Sequence, residues 1–377
     1  MSKFFFCSSL NSIDKHSWNN CLNDDHPFLQ YEFLSALERS NSATTKTGWQ
    51  PYHYIEMDND DIIALCPLYI KSHSFGEYIF DHSWADAYHR YGLNYYPKLQ
   101  SAIPFTPVTG DRIIINNKVK NKKEKETKII NNIIAEAKKI NVSSLHFNFI
   151  KNPSRWENNK DIMLRSNIQF HWKNNDYKNF DDFLKSLSSR KRKTIKKERL
   201  CISNNNLEVK LLNGDLIKEE HIQFFYDCYL DTTGRKWGST YLSKNFFYDL
   251  LLNFKDKILL IMAFQENIKI ASAINFLSNS HLYGRLWGAK YEIPFLHFEL
   301  CYYQAIDYAI KNNINIVEAG AQGEHKLQRG YVPTKTWSAH WIKDKEFSSA
   351  IQSFLNKEGQ LIESEKNKLE VLSPYKG

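Results

Sequence analysis

Chemistry-bearing residues crowd into one short stretch, Glu318-Ala-Gly-Ala-Gln-Gly-Glu-His-Lys-Leu-Gln-Arg329. The apolar run Ile314-Asn-Ile-Val just before it predicts a buried strand ending at Glu318. Gly320 and Gly323 then place small residues where something must approach the backbone closely. Ligands in open α/β sheets bind beyond the carboxyl ends of strands. A carboxylate or an imidazole at such a point can take a proton, with a pKa set by its burial. Glu318, Glu324 and His325 are therefore the candidate proton acceptors. Gln322, Lys326 and Arg329 are candidate substrate contacts.

A second group lies on Leu282-Tyr-Gly-Arg-Leu-Trp-Gly288. Strict strand alternation puts Tyr283, Arg285 and Trp287 on one face, a cation between two aromatics suited to a carboxylate or phosphate. His297 and Glu299 follow Pro294 at the start of a helix, near enough to join that platform. Glu299 also suits the helix dipole there with no further role. In the first half, residues 75–85 and 104–112 cluster polar and aromatic side chains around glycines. Asp81, Trp84 and Thr106 are expected to face a cleft there, with Glu77, His82, Thr109 and Arg112 nearby. No phosphate-loop, nucleophile-elbow or His-Glu-x-x-His motif occurs. His297, Glu299, Glu318 and His325 can be grouped as metal ligands, but without diagnostic spacing, and no metal is expected.

These residues need a scaffold, and the chain is long enough for two cores. It has 377 residues, 42% of them hydrophobic and 14% aromatic, which suggests about two domains. Both halves read as strand, helices, three meandering strands, helix, strand. The boundary is expected in the polar stretch after the strand 144–150, giving lobes of residues 1–155 and 156–377. Expected elements include a strand at 77–81, one long helix over 180–201, a helix over 219–229 and a helix over 296–311. No run approaches the roughly 18 apolar residues needed to span a bilayer. Six dispersed cysteines without a Cys-x-x-Cys pair read as buried hydrophobes in a reducing compartment, so the cytoplasm is expected.

The net charge of +8 is uneven. Residues 190–199 hold seven basic residues and one acid, a local +6 that leaves about +2 for the rest. The protein is not a generally basic nucleic-acid binder. Arg190, Lys191, Arg192 and Lys193 form the one segment able to grip phosphates, although a charge run is more often simply a solvated helix face.

Taken together, residues 75–84, 95–98, 104–110, 188–199, 283–289, 296–304 and 318–330 give the chain a resemblance to the FemAB-like N-acyltransferases, associated with bacterial peptidoglycan biosynthesis. The resemblance implies a tandem of acetyltransferase-like (GNAT) lobes of mixed α/β class. It implies transfer of an acyl or aminoacyl group from acyl-CoA or aminoacyl-tRNA to an amine, linked to cell-wall peptide, with no permanently bound cofactor. In that fold the donor enters where two central strands splay apart, and by order of elements these are 281–287 and 314–318. One departure is visible. The loop after residue 287, Gly288-Ala-Lys-Tyr-Glu-Ile-Pro-Phe-Leu296, lacks the Gly-rich pyrophosphate cradle of acyl-CoA enzymes. Two rival readings are a non-catalytic RNA- or ribosome-associated protein using the basic helix, and a metal-dependent hydrolase. The oligomeric state is not readable.

Overall fold

The computed structural model describes residues 2–79, 81–157, 159–237, 240–321 and 323–376, the side chains of 236 and 237 excepted. The chain divides into two compact units. The first comprises Met1–Asn167 and Lys335–Ser364, the second Ile168–Thr334 and Glu365–Gly377. The single boundary expected after residue 155 is thus replaced by a discontinuous division. The cause is strand exchange. The late strand Val332–Ile342 pairs antiparallel with Ser144–Ile150, His340 lying opposite His146. It completes the sheet of the first unit, whereas residues 171–173 of Met163–Lys173 pair with Ile316–Glu318 in the second.

In the first unit, strands Trp49–Pro51, Tyr69–Lys71 and Lys98–Ser101 pair in that order, the last running parallel to Ser144–Ile150. Helix Lys122–Lys139 makes the crossover, burying Ile129, Ile130, Ile133 and Ile134 at helical spacing. It begins well before the apolar stripe, so part of the polar stretch read as solvated is helical. The expected strand at 77–81 is absent from the described residues. Glu77 and Asp81 are instead drawn to the buried Lys98 ammonium, and helix His82–Arg90 starts at once. Phe80 lies outside the described residues.

The second unit repeats the plan. Leu207–Asn213, Ile258–Gln265, Ile268–Leu277 and His281–Ala289 form an antiparallel meander. A helical crossover over 296–311 leads to Ile316–Glu318, parallel to His281–Ala289. The helix expected over 180–201 is two, Phe180–Ser186 and Ser189–Asn204. Leu187 between them is extended and fully buried, and the Ser188 N–H donates to the Pro374 carbonyl, so tertiary pairing breaks a run that propensity alone would continue. Helix Glu219–Trp237 outruns its expected end, and helix Lys244–Asn253, not anticipated, follows it.

Candidate active site

The site begins where a ladder stops. His281, Leu282 and Tyr283 pair with Ile316, Val317 and Glu318, and pairing ends there while the first strand continues to Ala289. Beyond that point the two parallel strands part. On its other edge His281–Ala289 carries a bulge. Gly284 lies opposite Asn275 and Leu286 opposite Ile274, leaving Arg285 as the extra residue. A bulge of this kind re-aims side chains. It also overturns the expected alternation. Register places Tyr283 and Leu286 on one face with Phe276 and Ile274, and Gly284 and Trp287 on the other with Asn275 and Ala273. Tyr283, Arg285 and Trp287 therefore do not form one platform.

A cleft of about 80 Å³ opens at the splay. Arg285, Trp287 and His297 line it, as expected, and so do Asn275, Cys301 and Tyr302. The helix side is shaped by a wide π-type turn, Glu299–Tyr303, between helical residues 296–298 and 304–311. Such turns interrupt helices frequently at functional sites. His297 stands 4.8 Å from the Trp287 ring and 5.3 Å from Tyr302, centroid to centroid. The Tyr302 hydroxyl lies 2.8 Å from His325 Nε2. His325 is exposed over part of its surface, but desolvation of its ring against the cleft wall lowers its pKa, and the charges of Lys326 and Arg329 lower it further. Burial raises that of Tyr302. The pair at neutral pH is then a protonated phenol donating to a neutral imidazole.

Other predicted residues serve the frame. Glu299 is buried and accepts from Arg199 at 3.0–3.2 Å and from Gln304 at 2.7 Å. Arg329 is buried, donates to Glu198 and to the His325 carbonyl at 2.8 Å each, and lies 3.3 Å over the Phe298 ring. Its guanidinium is spent holding the turn Glu324–Arg329 in place. Lys326 is buried, donates to the Gly320 carbonyl at 3.0 Å, and is pulled down to about 8 chiefly by burial. Glu318 is buried and shares the face of Tyr283 and His171. Ala319, not Glu318, lines the cleft. Glu324 is exposed at the start of its turn. Gln322 lies outside the described residues. Among those described, no three His, Cys, Asp or Glu side chains converge on a metal position.

Arg190, Lys191, Arg192 and Lys193 occupy the first turns of Ser189–Asn204. Cations there oppose the helix dipole, an arrangement that an anion would relieve. The same helix carries Glu198 and Arg199, so its ion pairs to Arg329 and Glu299 tie the basic turn to the cleft walls.

Asp81, Trp84 and Thr106 belong to the first unit and are buried there. Asp81 accepts from Lys98 and, at 2.6 Å, from the Tyr95 hydroxyl. Lys98 holds its carboxyl well below the usual range against the effect of burial. Glu77 accepts from the same ammonium at 2.8 Å and is pushed up to about 7, mainly by burial. Trp84 packs 5.0 Å from His340 under the Arg165 guanidinium. Arg112 donates to the Asn148 and Val108 carbonyls at 2.6 Å. Glu77, Asp81 and Lys98 thus form an internal ionic network, and Trp84, Thr106 and Arg112 are buried.

Sequence reasoning missed Asn275, Cys301 and Tyr302. For Asn275 a signal existed, since it is an amide inside the apolar run Ala271-Ser-Ala-Ile-Asn-Phe-Leu277, and a polar group in a buried strand needs a reason.

Each unit joins two parallel strands by a helical crossover and adds an exchanged antiparallel strand. This is the duplicated acetyltransferase-like architecture of mixed α/β class. The chain belongs to the FemAB-like family, described as peptidoglycan biosynthesis/recognition, whose model matches residues 9–377. Among solved structures it is similar to FemX, at 11% identity and a TM-score of 0.56, over 90% of this chain and 98% of that one. A conserved protein of unknown function from Bacteroides thetaiotaomicron matches at 10% identity and a TM-score of 0.54, over 90% and 99% of the two chains. L-PGS from Bacillus licheniformis matches at 9% and 0.52, over 88% and 97%. No curated protein matches the chain in sequence. No described helix is long and apolar enough to cross a membrane.

Proposed function

We propose that the protein transfers an acyl or aminoacyl group, from acyl-CoA or aminoacyl-tRNA, to an amine of a cell-wall peptide precursor. The observation that carries this reading is the open splay between His281–Ala289 and Ile316–Glu318, with the Tyr302–His325 pair on its wall. The donor carbonyl would sit in the splay. A backbone N–H at the splay would donate to the oxyanion that forms when the amine attacks. The attacking nitrogen gives its proton to the Tyr302 oxygen as the phenol proton passes to His325 Nε2; when the tetrahedral intermediate collapses, the bond to the donor's thiol sulfur or ribose oxygen breaks and that leaving group takes the proton back from His325 through Tyr302, which restores both side chains. Of the three candidate acceptors, His325 fits best, because it is neutral and reaches the cleft through Tyr302. Glu318 shares the face of Tyr283 and His171, away from Trp287, and Glu324, exposed like His325, has no contact with a cleft residue of the kind that Tyr302 gives His325. Arg285, Trp287 and His297 would contact the reacting groups, and Arg190, Lys191, Arg192 and Lys193 the donor's phosphates. The six cysteines are all free thiols, which fits work in the cytoplasm.

Purified protein supplied with charged tRNA or acyl-CoA and an amine acceptor tests the reading. Tyr302→Phe and His325→Gln are each expected to lower kcat by about 10²–10⁴-fold, the usual share of proton transfer, with Glu324→Gln close to the parent. Unchanged kcat in both of the first two variants would remove the relay.

A further inference from the structure

A cleft of about 440 Å³ lies within the first unit and shares no lining residue with the one at the splay. Its size falls in the usual range for small-molecule sites. Three segments form it, and backbone hydrogen bonds hold them together without any ligand. Residues 91–97 link helix His82–Arg90 to strand Lys98–Ser101, and the Leu93 N–H donates to the Tyr88 carbonyl at 2.9 Å. The Ser143 N–H, just before Ser144–Ile150, donates to the Pro97 carbonyl at 3.1 Å. The Lys343 N–H, just after Val332–Ile342, donates to the Ser143 carbonyl at 3.0 Å. The cleft is therefore preformed.

Its polar groups limit what it can hold. Tyr88 lines the cleft with only 3% of its surface exposed, and among the described residues nothing pairs with its hydroxyl. Burial, and after it the Asp344 charge, push the phenol pKa up, so the group keeps its proton and needs an acceptor. A buried hydroxyl without a partner is costly unless a ligand or water supplies one. Asp344 also lines the cleft, and its Oδ1 accepts from the Phe347 N–H at 2.9 Å. Lys343 lines it too, its ammonium donating to Asn141 Oδ1. A carboxylate ligand would meet the Asp344 charge. An ammonium ligand would meet Lys343 and give the phenol no acceptor, and an apolar ligand would leave the phenol unpaired as well. A hydroxyl suits both groups, accepting from Tyr88 and donating to Asp344. Leu93, Tyr96, Pro97 and Val142 add apolar walls, which match the C–H faces of a sugar ring.

We propose that this cleft binds a neutral, hydroxyl-rich ligand of the sugar class, with one hydroxyl set between Tyr88 and Asp344. Binding there does not depend on the transferase reading.

The probes are glucose and N-acetylglucosamine, titrated calorimetrically into the full chain, with glucuronate and protonated glucosamine as charged counterparts. At least one neutral sugar is expected to bind with a Kd of about 1 mM or tighter, and both charged sugars more weakly than it. Tyr88→Phe should weaken the neutral sugar about 2- to 10-fold, the range of one neutral hydrogen bond. Without sugar, its melting midpoint should be unchanged or higher, because the substitution removes a hydroxyl that has no partner. Leu93→Arg, at a position 44% exposed, keeps Tyr88 but sets a charged chain at the cleft, and should weaken binding at least as much. Failure of both neutral sugars to bind would mean that the phenol pairs with water alone, and would overturn the inference. So would a charged sugar that binds as tightly as the neutral ones, or binding that survives both substitutions. A midpoint lowered by Tyr88→Phe would show that the hydroxyl already has a partner, and would overturn it too.

Discussion

Replacing Glu198 with Ala strands the Arg329 guanidinium inside the second unit. The two side chains are only 7% and 8% exposed, and their ion pair is 2.8 Å long. Arg329 would keep its bond to the His325 carbonyl and its place over Phe298, but neither neutralises a buried positive charge. The Tyr303 hydroxyl, which donates to the same carboxylate, would also lose its partner. Removing one half of a buried pair costs about 3–5 kcal/mol, because the remaining charge is desolvated without compensation. Denaturant unfolding should therefore show a lower midpoint for Glu198→Ala at a nearly unchanged slope. Removing both charges, as Glu198→Leu with Arg329→Met, should recover most of that loss, since apolar groups of similar volume need no partner. Native amide exchange should also show turn 324–329 loosened in the single variant, because Arg329 pins it. A single-variant loss below about 1 kcal/mol, or a double variant less stable than the single, would refute the assignment of Arg329 to the frame and return it to the substrate contacts.

Further outcomes follow from the same geometry. Gly288→Ala would bring a Cβ to 2.2 Å from the Cys228 carbonyl oxygen, and the overpacking should lower stability by about 1–3 kcal/mol in a thermal or denaturant melt. The pH profile of kcat/KM should have its acid limb below the usual histidine pKa of 6.5, because burial and two nearby cations favour neutral His325. Activity is then present above the lowered pKa and lost as pH falls through it, and an acid limb above 6.5 would contradict the environment described. Neutralising Arg190, Lys191, Arg192 and Lys193 together should raise KM for a phosphate-bearing donor and flatten its salt dependence, by a slope of about 0.7 per lost phosphate contact for a single strand. An unaltered salt slope would assign the quartet to a solvated face.

Much of the second unit is legible in the sequence. The meander and the strand ending at Glu318 follow from apolar runs bounded by turn residues, and these sit where expected. The three-residue cleft subset Arg285, Trp287 and His297 was legible too, because polar and aromatic residues beside glycines at a strand end have few other uses. The helix over 180–201 was not. Its sequence has no interior Pro or Gly, and tertiary pairing of 186–188 with 374–376 breaks it. Nor was the role of Asp81, since the ammonium that binds it lies 17 residues on, in a strand buried on all sides.

By itself, then, the sequence determined the periodicities, the duplicated order of elements and the loop where acid, imidazole and cations gather, because these depend on neighbours along the chain. The tertiary structure alone decided which of those groups reach the cleft. The bulge at Arg285 exists only in the pairing of two strands, and it turns Tyr283 away from Trp287. Arg329 is taken out of play by a carboxylate 131 residues away, and His325 enters play through a tyrosine on another element. Burial and charge pairing are properties of surroundings that a linear pattern does not contain.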